Sequence, residues 1–548
     1  MYDLIIKNGT IIDGTGKEAY KADICVLDDK IVGIGSFQYE LAKTEIDATD
    51  LIVTPGFIDV LNHSDTYLTL FTMPSQESLL TQGVTTIIGG NCGYSLAPLV
   101  SSNAMETVQK WANPDQINVD WLKMSEFLDC LSAKKMSLNF GTLVGFNTLI
   151  KGVLKNEHRS PTETEKEIMG NLFKQALEDG AFGLSMGLAY WHLREDTGDS
   201  LDYFFKITAE KDAIVSVHLK DEWDKFLDSL TVVLDKAKTT NAKTHISHLK
   251  VIGKKFWGNF DKAIKELEKN HQDGAKISFD VFPYASSSLE LYLLLPAWAK
   301  DGGNAKTLDR LKDPFDRKQI LKDLKTQEID FDKITIASFS TGPLENTKQN
   351  MLFVGKTISE IAKDWQTTGE EAIIDLLFAS KLNAIVFANL LDEANVKTAI
   401  AHPLSVIASA GAGYDLSKIN SISDLPHPKS FGAFPRFLRK YIKENGLPSC
   451  GDCSALQIRG LLSLEQAIEK ITSKPAKLFE IKNRGSVQKG NFADLVIFDP
   501  EKITDKATFK NPYQYSAGIK EVLVNGRFAL HEGKFVKSFS GKVLKHGE

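Results

Sequence analysis

The hydrophobic pattern of this chain changes character twice. Up to about residue 55, short β-branched runs alternate with polar turns. Leu4-Ile5-Ile6 leads into Asn8-Gly9, Thr10-Ile11-Ile12 leads into Asp13-Gly14, and apolar runs at 24–27 and 31–34 follow. Asn-Gly and Asp-Gly between such runs are hairpin signals. The style returns near the other end, in Leu495-Val496-Ile497-Phe498 and in Val522-Leu523-Val524-Asn525-Gly526-Arg527-Phe528. Two all-β ends around a different middle predict one small β-sandwich domain built from residues 1–54 and 486–548.

The middle, 55–485, alternates apolar strand-like runs with amphipathic helical ones, as βα units around a parallel sheet do. Eight strands are predicted, at 57–61, 85–88, 137–144, 182–186, 213–217, 243–247, 276–282 and 406–409. A Glu- and Lys-rich helix is expected over 161–177, with Ser160 as its cap. Eight such units make an α/β fold of the (β/α)8 TIM-barrel type. The span far exceeds the roughly 250 residues typical of that fold. Most of the excess lies at 286–400, which reads as a helical lid or subdomain inserted before the last barrel strand.

Composition narrows the function. The 548 residues are 43% hydrophobic and 25% charged, with a net charge of −6 and both signs interspersed. Nothing there favours nucleic acid or a membrane surface. The most apolar run, 289–298, is too short to span a bilayer. The beginning of the chain carries Asp3 where a signal peptide would be basic, so a cytoplasmic protein with a small-molecule substrate is expected. Homo-oligomerisation is left open. Five cysteines in such a length do not make a disulfide framework.

Chemistry collects at the predicted strand ends. The first strand runs into Asn62-His63-Ser64-Asp65, and the second into Gly89-Gly90-Asn91-Cys92-Gly93. The fifth runs into His218-Leu219-Lys220, the sixth into His248-Leu249-Lys250, and the seventh into Pro283-Tyr284. Cys92, His218 and His248 are three nitrogen or sulfur donors, a set that suits Zn²⁺ with one position left open. Each alone would be an ordinary structural residue; their convergence on one barrel mouth is the signal. Cys450-Gly451-Asp452-Cys453 has metal spacing but no second pair, and His192 reads as a pocket-rim residue.

The chain resembles the D-aminoacylase (N-acyl-D-amino-acid deacylase) branch of the amidohydrolase superfamily. The resemblance runs through Asp3 to Gly9, Thr54-Pro55-Gly56-Phe57-Ile58-Asp59, Gln82-Gly83-Val84-Thr85-Thr86 and Gly89 to Gly93. It continues in Gly183-Leu184-Ser185, Ile246-Ser247-His248, His427-Pro428-Lys429-Ser430-Phe431-Gly432 and Lys489-Gly490-Asn491-Phe492-Ala493-Asp494. It implies a barrel with a β-sandwich, and a deacylase with a zinc ion on Cys92, His218 and His248. Lys250, Tyr284 and Lys429 would meet the substrate carboxylate. Lys429 stands where the family has arginine and offers a point charge in place of a fork. Ser185 and Tyr190 would line the acyl or side-chain pocket.

Two departures matter. The His-x-His that the superfamily carries after strand one reads Asn62-His63 here, so a single tight zinc is expected. The catalytic aspartate of strand eight is replaced by Ala410, in Ile407-Ala408-Ser409-Ala410-Gly411. Three readings stand: a change introduced to disable the enzyme, a natural loss, or a base shifted to Asp65 or His63. The intact ligands around Ala410 favour the first. The expected function is zinc-dependent hydrolysis of N-acyl-D-amino acids, in an inactivated form. The alternatives are a cyclic-amide or other N-acyl amine hydrolase, and a non-catalytic metal-containing binding protein.

Overall fold

The computed structural model describes residues 1–100, 105, 112, 114–155, 157, 159–190, 199–339, 352–419, 424–442 and 461–548. Eight short strands form its centre. They are β1 (Phe57–Asp59), β2 (Val84–Gly89), β3 (Asn139–Thr142, resuming at Val144–Gly145) and β4 (Gly183–Gly187). β5 (Ile214–His218), β6 (Lys243–Ile246), β7 (Ile277–Val281) and β8 (Ser405–Ile407) complete the set. Each pairs in parallel with the next, from β1 through to β8. The ring closes just beyond the ends of its first and last strands. There the Ala410 amide donates to Leu61 O at 2.9 Å and the His63 amide to Gly411 O at 2.8 Å.

Every residue of β2, β4, β5 and β7 is buried. Strands of a barrel are covered on both faces, so the polar residues within them are buried too: Ser278 and Asp280 of β7 both bond the His245 ring. Each of the eight expected strands overlaps one observed. The helix expected over 161–177 spans Glu163–Glu178, and its cap is Thr162, not Ser160. Thr162 accepts from the Glu165 amide while Glu165 reaches back to the Thr162 amide, a reciprocal pair that closes the first turn.

The two ends of the chain meet in two sheets. One holds Lys30–Gly35, Asp23–Leu27, Tyr2–Lys7 and Ala42–Asp47 in that order. In the other, Ile52–Pro55 pairs antiparallel with Leu495–Phe498, placing Val53 opposite Ile497. Leu4, Ile24, Val53, Leu495 and Leu523 share one buried core between them. The Asn8-Gly9 hairpin does not form. Tyr2–Lys7 pairs with Asp23–Leu27, whereas Thr10–Ile11 crosses to the second sheet beside Ile52–Pro55. Asn525-Gly526 does close a hairpin, between Ile519–Val524 and Arg527–His531.

Between β7 and β8 lie the expected helices, among them Pro314–Thr326 and Gly369–Ala379, and a sheet the pattern did not announce. Ala384–Ala388 forms its middle strand, flanked by Ser287–Glu290 and Ile334–Phe339, all antiparallel. A five-residue apolar run such as Ala384 to Ala388 is equally consistent with a buried helix segment, so periodicity alone does not separate them. Among the described residues no helix is long and apolar enough to cross a membrane.

Candidate metal centre

The strand ends are held by polar clamps that leave particular side chains free. Asp59, wholly buried, accepts from the Ser409 amide at 2.8 Å and from Asn62 Nδ2 at 2.9 Å, tying β1 to β8. Burial pushes its carboxyl up to about 6, against the pull of these hydrogen bonds. The loop after β2 is fixed on both sides. Asp65 Oδ2 accepts from the Gly90 amide at 2.6 Å, and Ser185 Oγ accepts from the Gly93 amide at 3.0 Å. Ser185 also donates to Gly90 O. Gly90 has φ +70°, and an added Cβ would sit 2.0 Å from Leu143 O, so only glycine fits that close approach.

Cys92 emerges from this loop with its own φ at 52°. Its Sγ lies 3.5 Å from His248 Nε2 and 3.9 Å from His63 Nε2. His218 ends β5, and its ring meets that of His248 edge-on, with centroids 4.5 Å apart. One ligand atom from each of Cys92, His218 and His248 falls within 4.8 Å of the others, and all three residues are buried. Burial pushes the Cys92 thiol up to about 12 and holds both histidines well below their usual range. The set is therefore neutral imidazole and reluctant thiol. His218 Nδ1 is buried without a hydrogen-bond partner. A cation would satisfy all of these groups, and the donor types are those of zinc, so the residues present fit such an ion.

A carboxylate absent from the sequence-level reading sits beside this cluster. Glu222 Oε1 lies 2.5 Å from Lys250 Nζ, 3.3 Å from His248 Nδ1 and 4.0 Å from His218 Nε2. The available signal was an acid four residues after a strand-end histidine. Lys250 Nζ is also 2.8 Å from His248 Nδ1. Lys429 opens the helix Lys429–Lys440 and reaches to 4.7 Å from the Phe282 ring centre. It has no ion-pair partner among the described residues. Burial lowers its ammonium to about 7, with nearby Lys250 acting in the same direction.

A cavity of about 550 Å³ opens over these groups, lined by His63, Cys92, His218, His248, Lys250 and Lys429 on its inner side. Ala410 lines it too, with φ at 49°. Ser288, Glu290, Phe339 and Ile385, from the antiparallel sheet between β7 and β8, form the opposite wall. Tyr190 faces the cavity, edge-on to Tyr94 with centroids 5.0 Å apart. Three expected site residues do not line it. Asp65 Oδ2 and Ser185 Oγ are turned to the Gly90–Gly93 loop, and Tyr284 lies behind, its ring beneath the Arg436 guanidinium at 4.6 Å. His192 and Cys450-Gly451-Asp452-Cys453 fall outside the described residues.

A closed ring of parallel strands with histidine and cysteine side chains gathered at one mouth, flanked by a sheet from both chain ends, is the architecture of an amidohydrolase. An Amidohydrolase family model matches residues 378–529. The chain is 30% identical over 551 residues to the N-acyl-D-aspartate deacylase of Alcaligenes xylosoxydans, covering 100% of this chain and 95% of that one. It is 28% identical over 545 residues to the D-aminoacylase of the same organism, covering 99% and 97%. Among solved structures it is similar to the N-acyl-D-glutamate deacylase of Bordetella bronchiseptica, at 27% identity and TM-score 0.78 over 99% of each chain. That enzyme was solved with zinc and a phosphonate that mimics the tetrahedral intermediate of its reaction. The chain belongs to the D-aminoacylase branch of the amidohydrolase superfamily.

Proposed function

We propose that this protein is built to hydrolyse the amide bond of N-acyl-D-amino acids with one tightly held zinc ion, and that Ala410 leaves it in an inactivated form. The observation that carries the reading is the convergence of Cys92, His218 and His248 within 4.8 Å at the floor of the cavity. Relatives at about the same identity over nearly their full length are a D-aminoacylase and an N-acyl-D-aspartate deacylase. Cys92, His218 and His248 would hold the ion, which when bound supplies Lewis acidity toward the amide carbonyl and a nucleophile at neutral pH.

The remaining work falls to the chain. Lys429, without a carboxylate partner, is the cation offered to the substrate's α-carboxylate. Lys250 adds field but is already held by Glu222. The antiparallel sheet between β7 and β8 would cover the acyl group. Amide hydrolysis also needs a group that takes the proton from attacking water and returns it to the leaving nitrogen. A methyl at position 410 cannot. Neither shifted candidate is well placed: Asp65 faces Gly90, and His63 faces the sulfur of Cys92. A binding protein that keeps the pocket is the second reading, favoured by Ala410 alone.

Metal analysis and calorimetry test the proposal. One zinc per chain, with N-acetyl-D-amino acids bound in preference to their L forms and that binding lost on chelation, is the expected result. A metal-free protein, or binding indifferent to chelation, would overturn it.

A further inference from the structure

Glu222 is a buried acid at the site that the proposed reaction does not use. We propose that Glu222 is a positioning residue: it selects the histidine tautomer that makes His248 a metal ligand. The inference deepens the proposed function and rests on it for the identity of the ligands.

His248 Nε2 points at Cys92 Sγ, 3.5 Å away, so Nε2 is the nitrogen available to the ion. A neutral imidazole that binds through Nε2 must carry its proton on Nδ1. Two groups compete for that nitrogen. Lys250 Nζ stands 2.8 Å from Nδ1, and as an ammonium it can only donate. A proton donated there leaves Nδ1 as acceptor and sends the ring proton to Nε2, against the ion. Glu222 Oε1 stands 3.3 Å from Nδ1 and 2.5 Å from Lys250 Nζ. It accepts from Lys250 Nζ, drawing the lysine protons onto itself, and it is the carboxylate beside Nδ1 when the ring proton sits there. Glu222 is itself secured, because its carbonyl accepts from the Ile252 amide at 2.7 Å. Partners of this kind fix ring orientation in metal sites, and their loss typically costs about 10–100-fold in metal affinity.

Zinc and cobalt titration of the full apo chain, with the cobalt–thiolate absorption as a second readout, tests this. Glu222→Gln should bind metal about 10–100-fold more weakly. The double variant Glu222→Gln/Lys250→Met should recover most of that loss, because the competing donor is gone and the glutamine carbonyl can accept from Nδ1–H. A role in packing alone would show no such recovery. Unchanged affinity in Glu222→Gln, or a double variant as weak as the single, overturns the proposal. If Glu222→Gln strands the buried lysine charge and does not fold, Lys250→Met is compared with Lys250→Met/Glu222→Ala. The second should bind more weakly, and equal affinities overturn the proposal. Cys92→Ser run beside them separates the two levels. If it binds metal as well as the unaltered chain, the ligand assignment itself falls and Glu222 with it. If it loses metal while Glu222→Gln does not, only the tautomer argument fails.

Discussion

Placing a carboxylate at position 410 is the most informative single change. Ala410 sits at the end of β8 with its amide on Leu61 O at 2.9 Å and its methyl toward the cavity. Its φ of 49° is in the left-handed region, which costs an L-residue roughly 1–2 kcal/mol. Asp and Asn visit that region more readily than alanine, because their short side chains bond the local backbone. Ala410→Asp therefore meets a backbone already shaped for it. The new carboxylate would also face Lys429, whose buried ammonium has no acid partner among the described residues. A positioned general base contributes about 10²–10⁴-fold, equivalent to about 3–5 kcal/mol of barrier. The assay is amine release from a panel of N-acyl-D-amino acids, with metal content measured on both chains. The unaltered chain should be near background and Ala410→Asp higher by that factor, with equal zinc and an unchanged or slightly raised melting temperature. Equal activity in the two chains, at any level and with zinc bound in both, would refute the assignment of this position.

Other consequences follow from single groups. Since the Lys429 ammonium is lowered to about 7, it is charged below that pH and neutral above it. In the unaltered chain the Kd for an N-acyl-D-amino acid should therefore rise as pH increases through 7, by up to about tenfold per unit. Lys429→Arg, charged throughout, should flatten the profile, and an equally steep one would count against Lys429 as the carboxylate partner. Gly90→Ala should displace the loop that presents Cys92, because its Cβ would meet Leu143 O at 2.0 Å. Purified protein should then carry well under one zinc per chain. Asp494→Ala should destabilise the chain by about 3–5 kcal/mol, visible in its first urea transition, since it leaves the Arg484 guanidinium buried and unpaired.

The legible part of the fold was the part whose burial is two-sided. The strand at 182–186 was readable because all of Gly183–Gly187 is covered, so no charged residue interrupts it. Two Asn-Gly dipeptides, at 8–9 and 525–526, show where local reading stops. Asn525-Gly526 joins strands that pair with each other, whereas Asn8-Gly9 joins strands that belong to different sheets. The difference lies in distant partners, Asp23–Leu27 and Ile52–Pro55, that no dipeptide encodes. At the site, Cys92, His218 and His248 were readable because each lies at or within three residues of a strand end. Glu222 was not, because it matters only through what Lys250 and His248 do when the ring brings them together. Ser185 and Tyr284 were named for the right neighbourhood, but their polar atoms face the wall.

The same ring explains why the change at 410 can be so local. Gly411 and Ala410 carry the backbone hydrogen bonds that join β8 to the end of β1, and Ser409 carries the clamp on Asp59. None of these uses the side chain of residue 410. Losing a carboxylate there removes no bond that closes the barrel or steers Cys92, His218 and His248. Drift after loss of function would be expected to reach the Gly90–Gly93 loop, whose glycine, Asp65 and Ser185 contacts tolerate little variation. That loop is intact. On the proposed reading the chain therefore keeps a site able to hold metal and substrate, and lacks the one group that moves the proton between them.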